Sequence, residues 1–189
     1  MCDKSLPLWN IESEESLLKT PIFEIFKVRA RSQLHKEKAG DFAVARCPDW
    51  VNIIALTDDD EIVFVEQYRH GTSNLTLEIP GGMVDPGEGM IEAGMRELAE
   101  ETGFTGEGAE LIGVVTPNPA FQTNRCGTVL VHGVRKTQEL NLDPNEEIRV
   151  VMLSRDEIST RIARGDVHHA LVVAAFHHLS IWDSLRRSR

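Results

Sequence analysis

The sequence predicts an α/β (α+β) fold in α/β/α layers, with a small N-terminal antiparallel β segment. Short β-rich runs separated by polar, turn-like stretches recur from residue 22 to residue 153. Apolar residues at helical spacing indicate helices near residues 90–102 and beyond residue 154. The chain has 189 residues, of which 41% are hydrophobic and 26% charged, so one packed domain with a small N-terminal addition is expected.

Eight strands are predicted from these runs, and most are short enough to lie in antiparallel pairs. They are 22–34, 42–46, 51–57, 61–68, 75–79, 111–116, 126–134 and 148–153. Asp58, Asp59 and Asp60 separate the third and fourth strands and predict a hairpin turn. The alternative, a calcium loop, would need further oxygen ligands and a distant bidentate Glu.

Three helices complete the predicted layers. The first runs from about Met90 to Thr102. Ser154 and Glu157 match a capping box ahead of a short second helix that Gly165 ends. Asp166 is predicted to cap the third helix. That helix has apolar residues at Leu171, Val172, Ala175, Leu179 and Trp182, and the last two helices should cover one face of a sheet.

Four histidines occur as the pairs His168–His169 and His177–His178. Adjacent residues on a helix point about 100° apart, so neither pair can hold one metal ion alone. Surface or packing roles are therefore predicted for all four.

The net charge of −10 argues against a non-sequence-specific nucleic-acid binder, which needs basic surface to displace phosphate counterions. No membrane association is expected, because the longest apolar run, 170–176, is too short to span a bilayer. Cys2, Cys47 and Cys126 are odd in number and lack a Cys-x-x-Cys pair, so neither a disulfide framework nor a zinc site is expected. The first residues show no basic segment followed by an apolar run, so no secretory signal is expected. A cytoplasmic location is therefore expected, with the cysteines as small apolar residues.

The segment PGGMVDPGEGMIEAGMRELAEETGF, from residue 80, contains an unusual cluster of carboxylates. On a helical wheel Glu97, Glu100 and Glu101 share an arc of about 100°, where like charges repel. One interpretation is a solvated acidic face, in which Arg96 forms surface pairs with Glu92 and Glu100. The glycine-rich loop before the helix favours the other interpretation, a site for a hard divalent cation such as Mg²⁺.

The spacing within this segment matches the Nudix box at every defined position. Gly82, five residues, Glu88, seven residues and then RELAEETGF occupy residues 82–104. Most of residues 45–189 resembles a Nudix hydrolase domain, so the predicted domains are 46–189 and the N-terminal segment 1–45. The resemblance implies an α/β/α sandwich with a mixed sheet.

The same resemblance implies a metal-dependent hydrolase that uses Mg²⁺ or Mn²⁺. Its metal ligands would be the carboxylates of Glu97, Glu100 and Glu101 and the backbone carbonyl of Gly81. Metals held there would polarise a diphosphate and activate the attacking water. Three further positions, Gly82, Glu88 and Arg96, would support the loop and helix.

Outside the box the chain resembles the ADP-ribose and nucleoside-diphosphate-sugar pyrophosphatases. Arg69, in VEQYRHG, would contact substrate phosphate, with a surface ion pair as its alternative role. Glu78, in LEIPGG, matches a substrate-side position, and Pro119 matches a common proline.

The resemblance also implies a catalytic base on a mobile loop ahead of a late strand, a place that LDPNEEIRV occupies. Glu146 is the predicted base and Glu147 the alternative, although a loop with two acids is often simply solvated.

Residues 1–45 resemble the N-terminal strands through which these pyrophosphatases form homodimers. The aromatic residues predicted to stack on a nucleobase, or else to lie in the core or interface, are Trp9, Phe23, Phe26, Trp50 and Phe121.

The expected function is hydrolysis of ADP-ribose or a related nucleotide sugar to a nucleoside monophosphate and a sugar phosphate. One alternative is a Nudix hydrolase of GDP-mannose or of an oxidised nucleoside triphosphate. A second alternative, from another class, is a non-catalytic Nudix domain that senses a nucleotide.

Overall fold

A computed structural model describes residue 6 and residues 8–187. Cys2 lies outside the described residues. The chain divides into two compact units. One contains the residues up to Pro48 together with Thr116–Asn124, and the other contains Asp49–Val115 and the residues from Arg125 onward.

The first unit contains an antiparallel sheet of order β1-β2-β3, which confirms the predicted N-terminal β segment. Its strands are β1 (Trp9–Lys19), β2 (Glu24–Ser32) and β3 (Ala39–Arg46). Strand β1 was not among the predicted strands. All eleven of its residues are exposed, so its sequence lacks the alternation of a half-buried strand.

The second unit contains a mixed sheet of order β7-β4-β10-β9, a sheet of order β12-β5-β6 and the short pair β11-β8. Its strands are β4 (Trp50–Ala55), β5 (Glu61–Arg69), β6 (Asn74–Glu78), β7 (Gly81–Met83), β8 (Phe104–Thr105), β9 (Ala109–Val115), β10 (Cys126–Val131), β11 (Arg135–Lys136) and β12 (Ile148–Ser154). Strands β4 and β10 run parallel, whereas β10 and β9 are antiparallel. The predicted mixed sheet is therefore confirmed.

The predicted hairpin between β4 and β5 is wrong, although its turn is present. The Asp60 N–H donates to the Thr57 carbonyl at 3.3 Å, and Asp60 adopts a left-handed φ of 59°. Beyond the turn only Leu56 and Ile62 form an isolated bridge, and the two strands then enter different sheets. Each strand is paired along both edges, β4 with β7 and β10 and β5 with β12 and β6, so neither has a free edge for the other.

Helix α1 (Met90–Thr102) has the predicted bounds. The N–H of Gly89, which precedes it, donates to Glu92 Oε2 at 2.9 Å. Gly103 ends the helix with a φ of 73°, a conformation that costs residues with a Cβ.

Helices α2 (Ile158–Arg164) and α3 (Ala170–Arg187) differ from prediction at their starts. Ser154 precedes a 3₁₀ turn, Arg155–Glu157, but makes no side-chain cap hydrogen bond. Asp166 does not cap α3, because that helix begins only at Ala170. The Asp166 N–H instead donates to the Arg161 carbonyl at the end of α2. Gly165 ends α2 as predicted.

Two hydrophobic cores lie on opposite sides of the strands of the second unit. One joins α1 to β4 and β10 and contains Val51, Ile53, Ala93, Leu98, Val129 and Val131. The other joins α2 and α3 to the strands and contains Ile54, Phe64, Leu130, Ile158, Val172, Ala175 and Leu179. Helices thus cover both faces, which confirms the α/β/α layers.

None of the helices within residues 8–187 combines the length and apolarity needed to cross a membrane.

Candidate active site

Glu101 is the most deeply buried of the three carboxylates on α1. The residue is 3% exposed, and its Oε2 accepts a hydrogen bond from the Gly81 N–H at 3.0 Å. This hydrogen bond places the carboxylate against the start of β7, the strand that begins the glycine-rich loop. The helix and the loop therefore meet at this bond.

Burial raises the pKa of Glu101 to about 8, and the charges of Glu97 and Glu146 act in the same direction. The Gly81 N–H and Arg69 oppose the shift without cancelling it. Burial also raises the pKa of Glu97, although Arg96 stabilises its charged form. A nearby cation would therefore stabilise the ionised form of both carboxylates.

Arg96 joins the loop to the helix. Its Nε and Nη2 bind the two oxygens of Glu88, each at 3.0 Å, and its Nη2 also donates to the Met83 carbonyl at 3.1 Å. Its Nη1 contacts Glu97 at 2.9 Å and Glu100 at 3.1 Å. Hydrogen bonding to Glu88 is the largest cause of the raised pKa of Arg96. Arg96 therefore contacts both the loop and the helix, whereas the alternative of a solvated acidic face predicts only ion pairs along the helix surface.

Gly82 allows the loop to approach the helix this closely. A Cβ built at this position would lie 2.3 Å from Glu97 Oε1 and 2.4 Å from its Cδ. No side chain larger than hydrogen fits there without moving the carboxylate.

The chemistry of these donors fits a divalent cation. Within residues 8–187 no three His, Cys, Asp or Glu side chains already converge on a metal position, and Arg96 pairs with two of the carboxylates. Glu101 is nevertheless a buried carboxylate whose direct partner is a neutral N–H, and Glu97 lies beside it. Hard cations such as Mg²⁺ prefer carboxylate and carbonyl oxygens of this kind.

A second polar group lies at the ends of β5 and β6. Arg69 Nε and Nη2 bind Glu78 Oε1 and Oε2 at 2.9 and 2.8 Å, and the Thr76 hydroxyl donates to Oε1 at 2.6 Å. The Glu78 side chain is 3% exposed and that of Arg69 is 45% exposed. Hydrogen bonding to Arg69 lowers the pKa of Glu78 against the opposing effect of burial. Arg69 thus has a buried anchor and a solvent-facing edge.

His169 also contacts this group, which the sequence did not predict. Its Nδ1 lies 3.4 Å from Glu78 Oε2. His169 and Glu78 are far apart in sequence, and no local pattern relates a residue before a helix to the end of β6. Only the pairing of elements brings them together.

The two candidate bases lie on the exposed loop between β11 and β12. The Glu146 carboxylate accepts a hydrogen bond from the Asp143 N–H at 3.1 Å, and the Glu146 N–H donates to the Asp143 carbonyl at 2.9 Å. The charge of Glu146 contributes to the raised pKa values of Glu97 and Glu101. This interaction brings Glu146 into the electrostatic environment of the α1 carboxylates.

The aromatic candidates are divided between the two units. Trp50 is half-buried on β4 of the second unit, and its Nε1 has no hydrogen-bond partner among the described residues. Pro119 and Phe121 lie in the first unit and are exposed. The other candidates of the first unit are Trp9, which packs edge-on against Phe42, Phe23, which is exposed, and Phe26, whose ring lies under the Arg46 guanidinium.

Comparison with known proteins agrees with this architecture. The NUDIX domain family matches residues 48–176. The methanol dehydrogenase activator of Bacillus methanolicus is 30% identical over 144 residues, which cover 76% of this chain and 78% of that protein. The ADP-ribose pyrophosphatase of Bacillus subtilis (strain 168) is 25% identical over 158 residues, covering 83% and 85% of the two chains.

A solved structure described as an ADP compounds hydrolase has the same fold. It superimposes with a TM-score of 0.85 and 22% identity, over 97% of this chain and 98% of its own. The matched range contains the full loop and helix that carry Gly82, Arg96 and the α1 carboxylates. The chain therefore belongs to the NUDIX family of hydrolases.

Proposed function

We propose that the protein hydrolyses the diphosphate bond of ADP-ribose or a related nucleoside diphosphate sugar, giving a nucleoside monophosphate and a sugar phosphate. The observation that carries this proposal is the presence, in one unit, of the buried Glu101 beside Gly81 and of the anchored Arg69. Glu101 can help to hold a cation, and Arg69 can bind a phosphate group. In an acidic protein, both are needed to offset the negative charge of a bound diphosphate. The relative named ADP-ribose pyrophosphatase supports this substrate class.

Glu97, Glu100, Glu101 and the Gly81 carbonyl would hold the divalent cation, Mg²⁺ or Mn²⁺. A cation bound there supplies Lewis-acid polarisation of the diphosphate and a more acidic water. Glu101 must give up its proton when a cation binds, because its pKa is raised to about 8. Arg96 holds the Glu97 and Glu100 carboxylates in position through its contacts at 2.9 and 3.1 Å.

Arg69 would bind a substrate phosphate. Glu78 holds its Nε and Nη2 groups, so the Nη1 group is left for a ligand. Glu78 thereby acts on the substrate side through Arg69. Trp50 is proposed to contact the nucleobase or its ribose, since aromatic rings stack on bases. Substrate contact is proposed separately for Phe121 and Pro119, which belong to the first unit.

Glu146 is the proposed general base, with Glu147 as the alternative. A carboxylate on an exposed loop can reach a water beside a bound diphosphate. The electrostatic effect of Glu146 on Glu97 and Glu101 favours Glu146 over its neighbour.

We also propose a homodimer formed through the N-terminal sheet. Strand β1 exposes Trp9, Ile11, Leu17 and Leu18, each at least 45% accessible. Apolar side chains in such number on one strand are typical of an interface. A reducing, cytoplasmic location is consistent with the free thiols of Cys47 and Cys126.

The function is tested by chromatography of the products from ADP-ribose, GDP-mannose and UDP-glucose with Mg²⁺ or Mn²⁺. We expect AMP and ribose phosphate from ADP-ribose, loss of turnover with EDTA, and a fall in kcat of about 10²-fold or more for Glu101→Gln. Release of inorganic pyrophosphate from a nucleoside triphosphate as the main reaction would contradict the proposal. Binding of ADP-ribose without turnover would contradict it too.

A further inference from the structure

His169 has a buried ring nitrogen with an unmet hydrogen bond. Its Nδ1 lies 3.4 Å from Glu78 Oε2, but the contact lacks hydrogen-bond geometry and no other described residue pairs with this atom. An unpaired buried polar atom is unfavourable, so this nitrogen favours a hydrogen-bond partner. The rest of the side chain reaches solvent, since 37% of it is exposed.

Glu78 has one acceptor position left for this nitrogen. Its Oε1 accepts from Arg69 Nε and the Thr76 hydroxyl, and its Oε2 accepts from Arg69 Nη2. Each carboxylate oxygen can accept about two hydrogen bonds, so Oε2 has room for one more. A small rotation of the imidazole would complete a bond from Nδ1–H to Oε2.

The protonation of His169 determines what its outer edge can bind. Burial lowers the pKa of His169, and Arg69 and His168 act in the same direction while Glu78 opposes them. The ring is therefore neutral near pH 7 and carries one proton. With that proton on Nδ1 facing Glu78, Nε2 is a hydrogen-bond acceptor. Its natural partner is a hydroxyl group, because ionised phosphate oxygens are acceptors themselves.

The residue that this ring contacts, Glu78, lies close along the chain to Gly81 of the proposed cation site. Glu78 ends β6 and Gly81 begins β7, and this stretch of chain spans at most about 10 Å. A nucleotide sugar with its diphosphate at Gly81 can carry a sugar to the neighbourhood of Glu78. His169 is also fixed in place, because its carbonyl accepts the Val173 N–H in the first turn of α3 at 3.0 Å.

We propose that His169 is a substrate-binding residue whose ring Glu78 orients through Nδ1, and whose Nε2 accepts a hydrogen bond from a sugar hydroxyl of the nucleotide sugar. This inference rests on the proposed function and adds the residue that recognises the sugar.

The test compares His169→Asn, His169→Gln and His169→Ala in steady-state hydrolysis of ADP-ribose with Mg²⁺. Asn places an amide donor near the position of Nδ1 and so keeps the contact with Glu78. Gln places its amide group near the position of Nε2 and so keeps an acceptor for the substrate. The control is His168→Ala, because His168 is the exposed neighbour.

We expect His169→Asn and His169→Ala to raise KM about 10-fold, with kcat within about twofold of wild type. His169→Gln should remain within about threefold of the wild-type KM, and His168→Ala within about twofold for both constants. A substrate contact through Nε2 therefore predicts a lower KM for His169→Gln than for His169→Asn. A purely structural role through Glu78 predicts the reverse, because Asn keeps the contact with Glu78.

Wild-type KM for His169→Asn, or equal KM for all variants, would overturn the inference and leave the proposed function standing. A wild-type protein that hydrolyses no nucleotide sugar would overturn both.

The methyl ester of ADP, which lacks the terminal sugar, identifies the hydroxyl. If the effect of His169→Asn on KM disappears with this substrate, the contact is to the terminal sugar. If the effect persists, the contact is to the ribose of the nucleoside. Either result supports the contact itself.

Discussion

At the scale of single residues, burial and pairing give each carboxylate of the site a different character. Glu101 is buried against a neutral N–H, so its pKa rises to about 8. Glu78 is equally buried but is held by an arginine, so its pKa falls. The first is suited to exchange its proton for a cation, and the second remains ionised to fix Arg69 and His169.

Glu78→Gln should destabilise the protein at pH 7 by about 1–3 kcal/mol, because Arg69 loses its buried partner but stays partly solvated. The folded-state pKa of Glu78 lies below its ordinary value of 4.5. Its contribution to stability is therefore present above about pH 4.5 and is lost as the pH falls through the folded-state pKa. Urea unfolding should show that the gap between variant and wild type narrows below pH 4.5.

The control for this experiment is Glu110→Gln, which breaks the exposed pair with Arg186. This substitution should change the free energy of unfolding by less than about 0.5 kcal/mol, both at pH 7 and below pH 4.5. Equal losses in the two variants would contradict the role given to Glu78.

Glu146→Gln should lower kcat by about 10²–10⁴-fold with little change in KM, because a general base acts in the transition state. Glu147→Gln is the matched control on the same exposed loop, and it should leave kcat within about threefold. Rapid-quench measurement of AMP formation would separate the chemical step from product release. An unchanged kcat in both variants would exclude Glu146 and Glu147 as the base.

At the scale of elements, the site depends on the contact between α1 and the loop that starts at β7. Arg96 joins Glu88 and the Met83 carbonyl of the loop to Glu97 and Glu100 of the helix. Gly82 lets the two elements come together, since a Cβ there would meet the Glu97 carboxylate. The helix interior contains Gly94, which lowers helix propensity, so tertiary contacts contribute much of its stability.

Gly82→Ala should therefore lower both stability, by about 1–3 kcal/mol, and activity, because Glu97 must move to admit the methyl group. Gly71→Ala is the control, since a Cβ there meets nothing within 4 Å. Circular dichroism on heating and kcat with Mg²⁺ provide the two measurements. A Gly82→Ala protein that matches the control in both would contradict a close approach at this position.

At the scale of the whole molecule, the exposed apolar strand β1 is the feature that a partner would cover. Leu17→Asp should weaken the proposed dimer at least about 10-fold, since it places a charge on that strand. Leu185→Asp is the control, because Leu185 is 65% exposed on α3. Sedimentation equilibrium should give a dimer dissociation constant raised by at least about 10-fold for the first variant and close to wild type for the second. A wild-type protein that sediments as a monomer would contradict the proposed dimerisation through the N-terminal sheet.

Local spacing in the sequence was enough to predict the bounds of α1, the turn at Asp60 and the glycine that ends α2. These features depend on residues close in the chain, whose relative directions are set by helix and turn geometry. The same geometry placed the α1 carboxylates on one arc of the helix. The box spacing then indicated the family, because loop and helix are continuous in sequence.

The sequence by itself therefore determined the local chemistry: a helix with clustered carboxylates, a glycine loop before it and an arginine at the end of a strand. Only the tertiary structure decided which distant partners each group has. It paired β4 with β10 rather than with β5, and it set His169 against Glu78. Such contacts depend on how sheets and helices pack around shared cores, and a pattern read along the chain does not contain that information.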